Sequence, residues 1–177
     1  MVVAMGYSGG GGNVLNYASR FPDSAAVVVD HFGITDYGYN TTWGWYQAGA
    51  SGGQQSALVT MIGNTPTLAP DNYRARSAVE ALPRNYGGHV YIFHDDQDAS
   101  VPIAQSRALV TNLVAYSRSY TTNFTTTTNA VRWTHSNPND SAGVSQTEAV
   151  WLANVVAGAH RPWLMPTAGT NRVNMWL

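Results

Sequence analysis

The sequence contains no cysteine and no lysine, and it has few charged residues of either sign. The absence of cysteine excludes disulfides, thiolate catalysis and cysteine-bound zinc. Charged residues make up 11% of the 177 residues, against ~25% in an average domain. Without a basic cluster we expect no nucleic-acid binding, and no apolar run is long enough to span a membrane. A surface of uncharged polar residues favours a secreted or extracellular location.

Short apolar runs alternate with helical patterns along the chain. The patterns predict strands at 2–5, 25–30, 89–94 and 125–133, and helices at 13–20, 54–62, 72–81, from Pro102 and from Ser145. This order predicts an α/β fold, a mostly parallel sheet with helices on both faces. The chain opens on a strand that enters a glycine turn at once, so we expect it to be part of a longer polypeptide.

The segment Gly6-Tyr7-Ser8-Gly9-Gly10 joins the first predicted strand to the first predicted helix. It matches G-x-S-x-G, the nucleophile elbow, in the strand-turn-helix context that this turn needs. We expect Gly6 and Gly10 to allow the tight turn, Ser8 to be the nucleophile and the N–H of Gly9 to donate to an oxyanion. The alternatives are a filler serine in an ordinary loop and a phosphate-binding loop, whose G-x-G-x-x-G spacing fails because residue 8 is serine.

Three carboxylates follow the predicted strand 89–94, at Asp95, Asp96 and Asp98. We select Asp98 as the acid of a catalytic triad because it precedes Val101-Pro102 and the next helix. Asp95 or Asp96 could replace it, and an aspartate at such a turn also serves as a capping residue.

The base of a triad in the order Ser, Asp, His must follow a later strand. His135 does so, and an exposed loop imidazole is the alternative interpretation. His160 competes but lies beyond the last predicted helix. His31 and His94 precede or adjoin the acid, and His89 opens a predicted strand.

Together these segments resemble the C-terminal half of an α/β-hydrolase, most closely the prolyl oligopeptidase type of catalytic domain and its esterase relatives. Four stretches within residues 2–157 carry the resemblance: 6–12, 72–77, 92–98 with Val101-Pro102, and His135. The resemblance implies that residues 1–165 are the C-terminal half of a catalytic domain, with 31–70 as an aromatic-rich insertion and 166–177 as an irregular tail. It implies no metal and no organic cofactor.

The sequence departs from that family in three respects. Asp95 stands where glycine usually follows the histidine of the acid segment, and Thr134 and Ser136 flank His135 where glycine is usual. The family's first strands, which cover strand 2–5 and supply the second oxyanion donor, are absent. We therefore expect the oxyanion hole to be completed by the rest of a longer polypeptide, by a partner chain or by self-association through the open edge.

Five tyrosines and tryptophans lie in the insertion: Tyr37, Tyr39, Trp43, Trp45 and Tyr46. They are typical both of an apolar or sugar-stacking substrate pocket and of a loop with its own small core. We take Trp43 and Trp45, with Tyr7 beside the serine, as candidate substrate-binding residues.

The sequence therefore predicts a serine hydrolase that cleaves small ester or peptide substrates through an acyl-enzyme on Ser8. The alternative is a non-catalytic scaffold with a hydrolase-like fold, used for binding or assembly in an extracellular or virion structure. The low charge, the absence of lysine and the missing first strands favour that alternative.

Overall fold

The computed structural model describes residues 2–128, 132–133 and 135. In this part of the chain four parallel strands form one sheet in the order β1-β2-β3-β4. The strands are β1 (Val3–Tyr7), β2 (Val27–His31), β3 (His89–Asp95) and β4 (Tyr120–Thr125). Tyr7 pairs with His31, and His31 pairs with Phe93, so the first three strands end at the same edge of the sheet.

Six helices lie among the described residues: α1 (Gly9–Arg20), α2 (Trp45–Ala48), α3 (Gly52–Ile62), α4 (Pro70–Arg76), α5 (Ala78–Asn85) and α6 (Ala104–Ala115). Leu15 of α1, Leu82 of α5 and Leu109 of α6 pack with Val28 and Val90 of the sheet in one core. The parallel α/β architecture is thus confirmed. The helix expected from Ser145 lies outside the described residues. No helix in the described part combines the length and apolar character needed to cross a membrane.

The fourth strand lies earlier than the predicted 125–133. It ends at Thr125, whose hydroxyl donates to Asp95 at 2.8 Å and accepts from the N–H of Trp133 at 3.1 Å. Thr125 pairs with Asp95, the last residue of β3, so β4 ends where its partner strand ends and Thr126 to Thr128 lie outside the strand. The β-branched threonines 126–128 favoured a strand that began at residue 125, whereas the structure ends β4 there.

The prediction of one helix over 72–81, ended before Pro83, was wrong. The structure has two helices, and Pro83 lies inside α5. Proline cannot donate to the carbonyl four residues earlier, which here belongs to Val79. The side-chain amide of Asn112 donates to that carbonyl at 3.1 Å, so the helix tolerates the proline.

The aromatic insertion forms a second core together with α4, in which Tyr37 and Trp45 of the insertion and Tyr73 of α4 are buried. The Asp36 carboxylate organises the insertion by accepting from three successive backbone N–H groups, those of residues 38 to 40, at 2.7 to 3.0 Å. Gln105 of α6 accepts from the backbone N–H of Thr35 and Asp36 through its side-chain oxygen, which ties the insertion to the main core.

Helix α1 begins at Gly9, four residues before the predicted start, and its glycines allow a close approach to β2. A Cβ on Gly11 would lie 2.3 Å from Oδ1 of Asp30, whereas one on Gly10 would meet nothing within 4 Å. The expectation that the turn requires Gly10 was therefore wrong, because residue 10 faces solvent. Glycine has a low helix propensity. We therefore attribute the formation of α1 to its packing against the end of β2.

We predict opposite effects on stability for alanine at these two neighbouring positions. Gly11→Ala forces a methyl group into the Asp30 carboxylate and lowers the free energy of unfolding by about 1–3 kcal/mol. Gly10→Ala raises it by up to about 1 kcal/mol, because alanine favours the helix. Urea unfolding of both variants measures the difference, and equal effects would contradict the close packing of α1 on β2.

Asp30 is a fully buried carboxyl group beneath α1. Neither of its oxygens makes a hydrogen bond of ordinary geometry with the described residues. Burial raises the pKa of Asp30 to about 7, although the backbone N–H of Gly33 works in the opposite direction. The folded state therefore keeps this carboxyl protonated at pH values where the unfolded chain ionises it.

We predict that Asp30→Asn gains stability relative to the wild type as pH rises. The unfolded carboxyl loses its proton near 3.8 and the folded one near 7, so wild-type stability from this group falls between those values. The difference in unfolding free energy should grow by on the order of 1 kcal/mol per pH unit across that window. His31 opposes this slope equally in both proteins, because burial lowers its pKa to about 4. Asp23→Asn, at an exposed carboxyl, is the control, and a pH-independent difference for Asp30→Asn would contradict the prediction.

Candidate active site

Ser8 lies in a tight turn between β1 and α1. Its backbone has φ 55° and ψ −126°, a left-handed conformation that is strained for serine. The N–H of Ser8 donates to the carbonyl of His31 at 2.9 Å, and its carbonyl accepts from Ile34 at 3.3 Å. A Cβ on Gly6 would lie 2.2 Å from the carbonyl oxygen of Gly10. The turn thus requires glycine at residue 6 and has the geometry of a nucleophile elbow.

The carboxylate of Asp98 is buried and fully engaged. Its Oδ1 accepts from the N–H groups of Ser100 and Val101 at 2.9 and 3.0 Å, and its Oδ2 lies 2.7 Å from Nδ1 of His135. Burial alone would raise the pKa of Asp98, but the hydrogen bonds from His135 and the two backbone groups outweigh it and lower that pKa. Asp98 is therefore ionised at neutral pH.

Asp98 also fixes the tautomer of His135. A carboxylate only accepts hydrogen bonds, so Nδ1 of His135 carries the proton. In the neutral imidazole, Nε2 then keeps the lone pair that a general base uses. The backbone N–H of His135 points to the same Oδ2 at 3.3 Å.

Aromatic contacts connect the surroundings of Ser8 with those of His135. The ring of His135 packs on Phe32 with centroids 4.5 Å apart, and Phe32 directly follows His31, the residue that holds the N–H of Ser8. The ring of His31 in turn stacks on Tyr7 at 4.5 Å. The serine turn and the Asp98–His135 pair thus occupy the same edge of the sheet.

His94 supports the turn that carries Asp98. Its Nε2 lies 2.7 Å from the carbonyl of Val101, and its Nδ1 lies 2.7 Å from Oγ of Ser106. A carbonyl only accepts, so Nε2 carries the proton and Ser106 donates to Nδ1. Burial is the main cause of the lowered pKa of His94, which keeps the ring neutral. From the sequence alone, only the position of His94 beside the acid segment was apparent.

The other histidines have different surroundings. His31 is buried and stacks on Phe93 as well as Tyr7. His89 begins β3, at the opposite end of the strand, and its ring nitrogens contact the hydroxyls of Ser119 and Thr121. His160 lies outside the described residues.

The first of the alternative acids, Asp95, binds another part of the same loop. Its buried carboxylate forms two hydrogen bonds with the guanidinium of Arg132, one of them 2.8 Å long from Nε. It also accepts from the hydroxyl of Thr125 at 2.8 Å and from the N–H of Gln97 at 2.8 Å. Sequence reasoning missed Arg132, because an isolated arginine before a histidine has no recognisable spacing. Asp96 is bonded through its backbone, its N–H donating to the carbonyl of Thr125.

A cavity of about 300 Å³ opens next to Gly9. Its apolar wall is formed by Ile34, Tyr37, Trp45, Leu58 and Met61, with Asn13, Gln54 and Arg76 among its polar lining residues. The hydroxyl of Tyr37 lies 3.4 Å from the carbonyl oxygen of Gly9, which joins the cavity to the start of α1. The insertion thus forms both a small core and a cavity.

The three candidate substrate-binding residues occupy different places. Trp45 lines the cavity. Trp43 packs partly buried against the main core, and its carbonyl accepts from Gln105. Tyr7 is 40% exposed beside Ser8.

No family model and no curated protein matches the sequence. Solved structures do match it in fold. The dipeptidyl peptidase 4 of Porphyromonas gingivalis has a TM-score of 0.64 and 16% identity over 86% of this chain and 19% of its own. The acylaminoacyl peptidase of Pyrococcus horikoshii has a TM-score of 0.60 and 19% identity over 76% of this chain and 20% of its own. A puromycin-hydrolyzing peptidase of Mycobacterium tuberculosis has a TM-score of 0.60 and 22% identity over 71% of this chain and 18% of its own.

The chain thus spans about a fifth of the length of each of these peptidases. From this likeness, and from the nucleophile-elbow geometry at Ser8, we conclude that the chain has the α/β-hydrolase fold.

Proposed function

We propose that this protein is a serine hydrolase that cleaves ester or peptide bonds through an acyl-enzyme on Ser8. The observation that carries the proposal is the 2.7 Å pair between the ionised Asp98 and Nδ1 of His135, at the sheet edge where the strained turn presents Ser8. A buried, hydrogen-bonded carboxylate that fixes a histidine tautomer is the arrangement that activates a serine hydroxyl. The peptidases with the same fold support a hydrolase role.

The proposed reaction proceeds in two steps. Nε2 of His135 takes the proton of the Ser8 hydroxyl as Oγ attacks the carbonyl carbon of the substrate, and the imidazolium then protonates the leaving alcohol or amine. Water attacks the acyl-enzyme with the same base, which releases the acid and restores Ser8. Asp98 stabilises the imidazolium in both steps, and the N–H of Gly9, in the first turn of α1, donates to the oxyanion.

The cavity beside Gly9 is the proposed site for an apolar group of the substrate. It adjoins the oxyanion donor, and Trp45, Leu58 and Met61 provide apolar surface with few charges. A cavity of about 300 Å³ is at the small end of ligand pockets. Small acyl groups or single side chains fit that volume better than long lipids.

The edge strand β1 is the proposed position of a further strand. Within the described sheet β1 has a neighbour on one side only, and Val2, Met5 and Tyr7 are 38–59% exposed. Unpaired apolar edges favour pairing with another strand. That strand would come from a longer polypeptide, from a partner chain or from a second copy, and would supply the second oxyanion donor. The secreted location stays a prediction.

We predict that a fluorophosphonate probe labels the wild-type chain at Ser8. Ser8→Ala should abolish labelling and lower ester hydrolysis by a factor on the order of 10⁶ where the site is complete. Mass spectrometry of the labelled peptide identifies the residue. Ser24→Ala, at a surface serine whose hydroxyl donates to Phe21, is the matched control and should label like the wild type. A folded wild type that takes no label would instead favour the non-catalytic scaffold.

We predict that Asp98→Asn slows this labelling by a factor on the order of 10⁴, because the amide holds the imidazole in the wrong tautomer. Asp23→Asn removes one exposed carboxylate elsewhere and should leave the rate unchanged. The labelling rate at fixed probe concentration measures both variants. An Asp98→Asn protein that labels at the wild-type rate would show that His135 does not depend on Asp98.

A further inference from the structure

The loop that carries His135 is attached to the end of β3 at two points with the same spacing. Asp95 binds Arg132 and Asp98 binds His135, so each pair of partners is three residues apart in its own segment. Both carboxylates are fully buried, whereas the side chains of Arg132 and His135 are each 23% exposed. The strand end therefore supplies two fixed anionic anchors to one partly exposed loop.

Thr125 adds a third attachment within the same cluster. Its hydroxyl donates to Oδ2 of Asp95 and accepts from the backbone N–H of Trp133, the residue after Arg132. The indole of Trp133 packs edge-on against Phe93 of β3, with ring centroids 4.7 Å apart. Residues 132 and 133 are thus tied to the ends of β3 and β4, and residue 135 is tied to Asp98 in the turn after β3.

The charge on Asp95 persists across the neutral range. Burial works to raise its pKa, but the hydrogen bonds from Arg132, Gln97 and Thr125 together lower it. Two parallel bonds from a guanidinium also fix direction as well as distance. A buried carboxylate held by such a fork resists rotation, so Arg132 is held in one orientation.

We propose that Asp95, Arg132 and Thr125 form a clamp that positions His135 against Asp98. Asp95 and Arg132 are positioning residues, because they hold the loop of His135 and do not touch the imidazole itself. The catalytic consequence of the clamp rests on the proposed function. Its structural consequence, a fixed hydrogen bond from Nδ1–H of His135 to Asp98, does not depend on the proposed function.

The clamp is tested with Asp95→Asn, Arg132→Gln and the double variant. Asp96→Asn is the matched control, since it removes a carboxylate at the adjacent residue. Arg132→Lys keeps the charge but cannot form the two-bond fork. Because Arg132 is partly exposed, its variants keep the test decisive if Asp95→Asn fails to fold.

The first measurement is the low-field proton NMR signal of His135 Nδ1–H, assigned by its loss in His135→Gln. We expect the signal in the wild type and in Asp96→Asn. In Asp95→Asn and Arg132→Gln it should be lost to exchange with water, while thermal unfolding still shows a folded protein. The double variant should lose no more than either single one, and Arg132→Lys should be intermediate.

The second measurement is the rate of fluorophosphonate labelling at Ser8. We expect a fall of about 10- to 100-fold in Asp95→Asn and Arg132→Gln, equal in the double variant, which corresponds to the loss of a charged hydrogen bond. Folded Asp95→Asn and Arg132→Gln variants that keep both the Nδ1–H signal and the wild-type rate would overturn the clamp. Failure of the wild type to label would contradict the proposed function alone, because the NMR result still decides the clamp.

Discussion

The structure depends on how closely α1 approaches the ends of β1 and β2. The carbonyl of Gly10 occupies the space that a side chain at residue 6 would need, and Gly11 lies directly over the carboxyl of Asp30. This packing leaves Ser8 in a left-handed backbone conformation, with its N–H held by His31. The strain at one residue is thus imposed by the contact of a glycine-rich helix with a strand end.

The end of β3 provides the polar half of the same site. His94, Asp95 and Asp98 are all buried there, yet their environments differ. The two carboxylates are held ionised by donors from the loop and the backbone, and the histidine is kept neutral by burial. A compact group of buried polar residues of this kind is stable only when its members are hydrogen-bonded. Their partners lie on β4, on α6 and on the loop of His135, which connects the site to the rest of the fold.

The sequence predicted those features that depend on local pattern. The apolar runs that became β2 and β3 and the elbow around Ser8 have spacings that only a parallel α/β fold explains. Asp98 and His135, 37 residues apart, were paired by chain order and by their positions after successive predicted strands, and the structure has them 2.7 Å apart.

Other features depend on tertiary contacts and could not be predicted. Pro83 inside α5 relies on an amide from Asn112, and β4 ends at Thr125 because its partner β3 ends at Asp95. Gly11 faces Asp30 of β2 and has no room for a side chain, whereas Gly10 has open space beside it. Asp95 stands where the family that the sequence resembles usually has glycine, but only the structure shows its contact with Arg132.

The most direct test of the account is a crystal structure of the chain with a phosphonate bound. The account predicts the phosphorus on Oγ of Ser8, with Nε2 of His135 within about 2.6–3.2 Å of the serine oxygen or the leaving-group position, and Asp98 still bonded to Nδ1. A probe bound elsewhere, or a His135 ring turned away from Ser8 in the adduct, would contradict it.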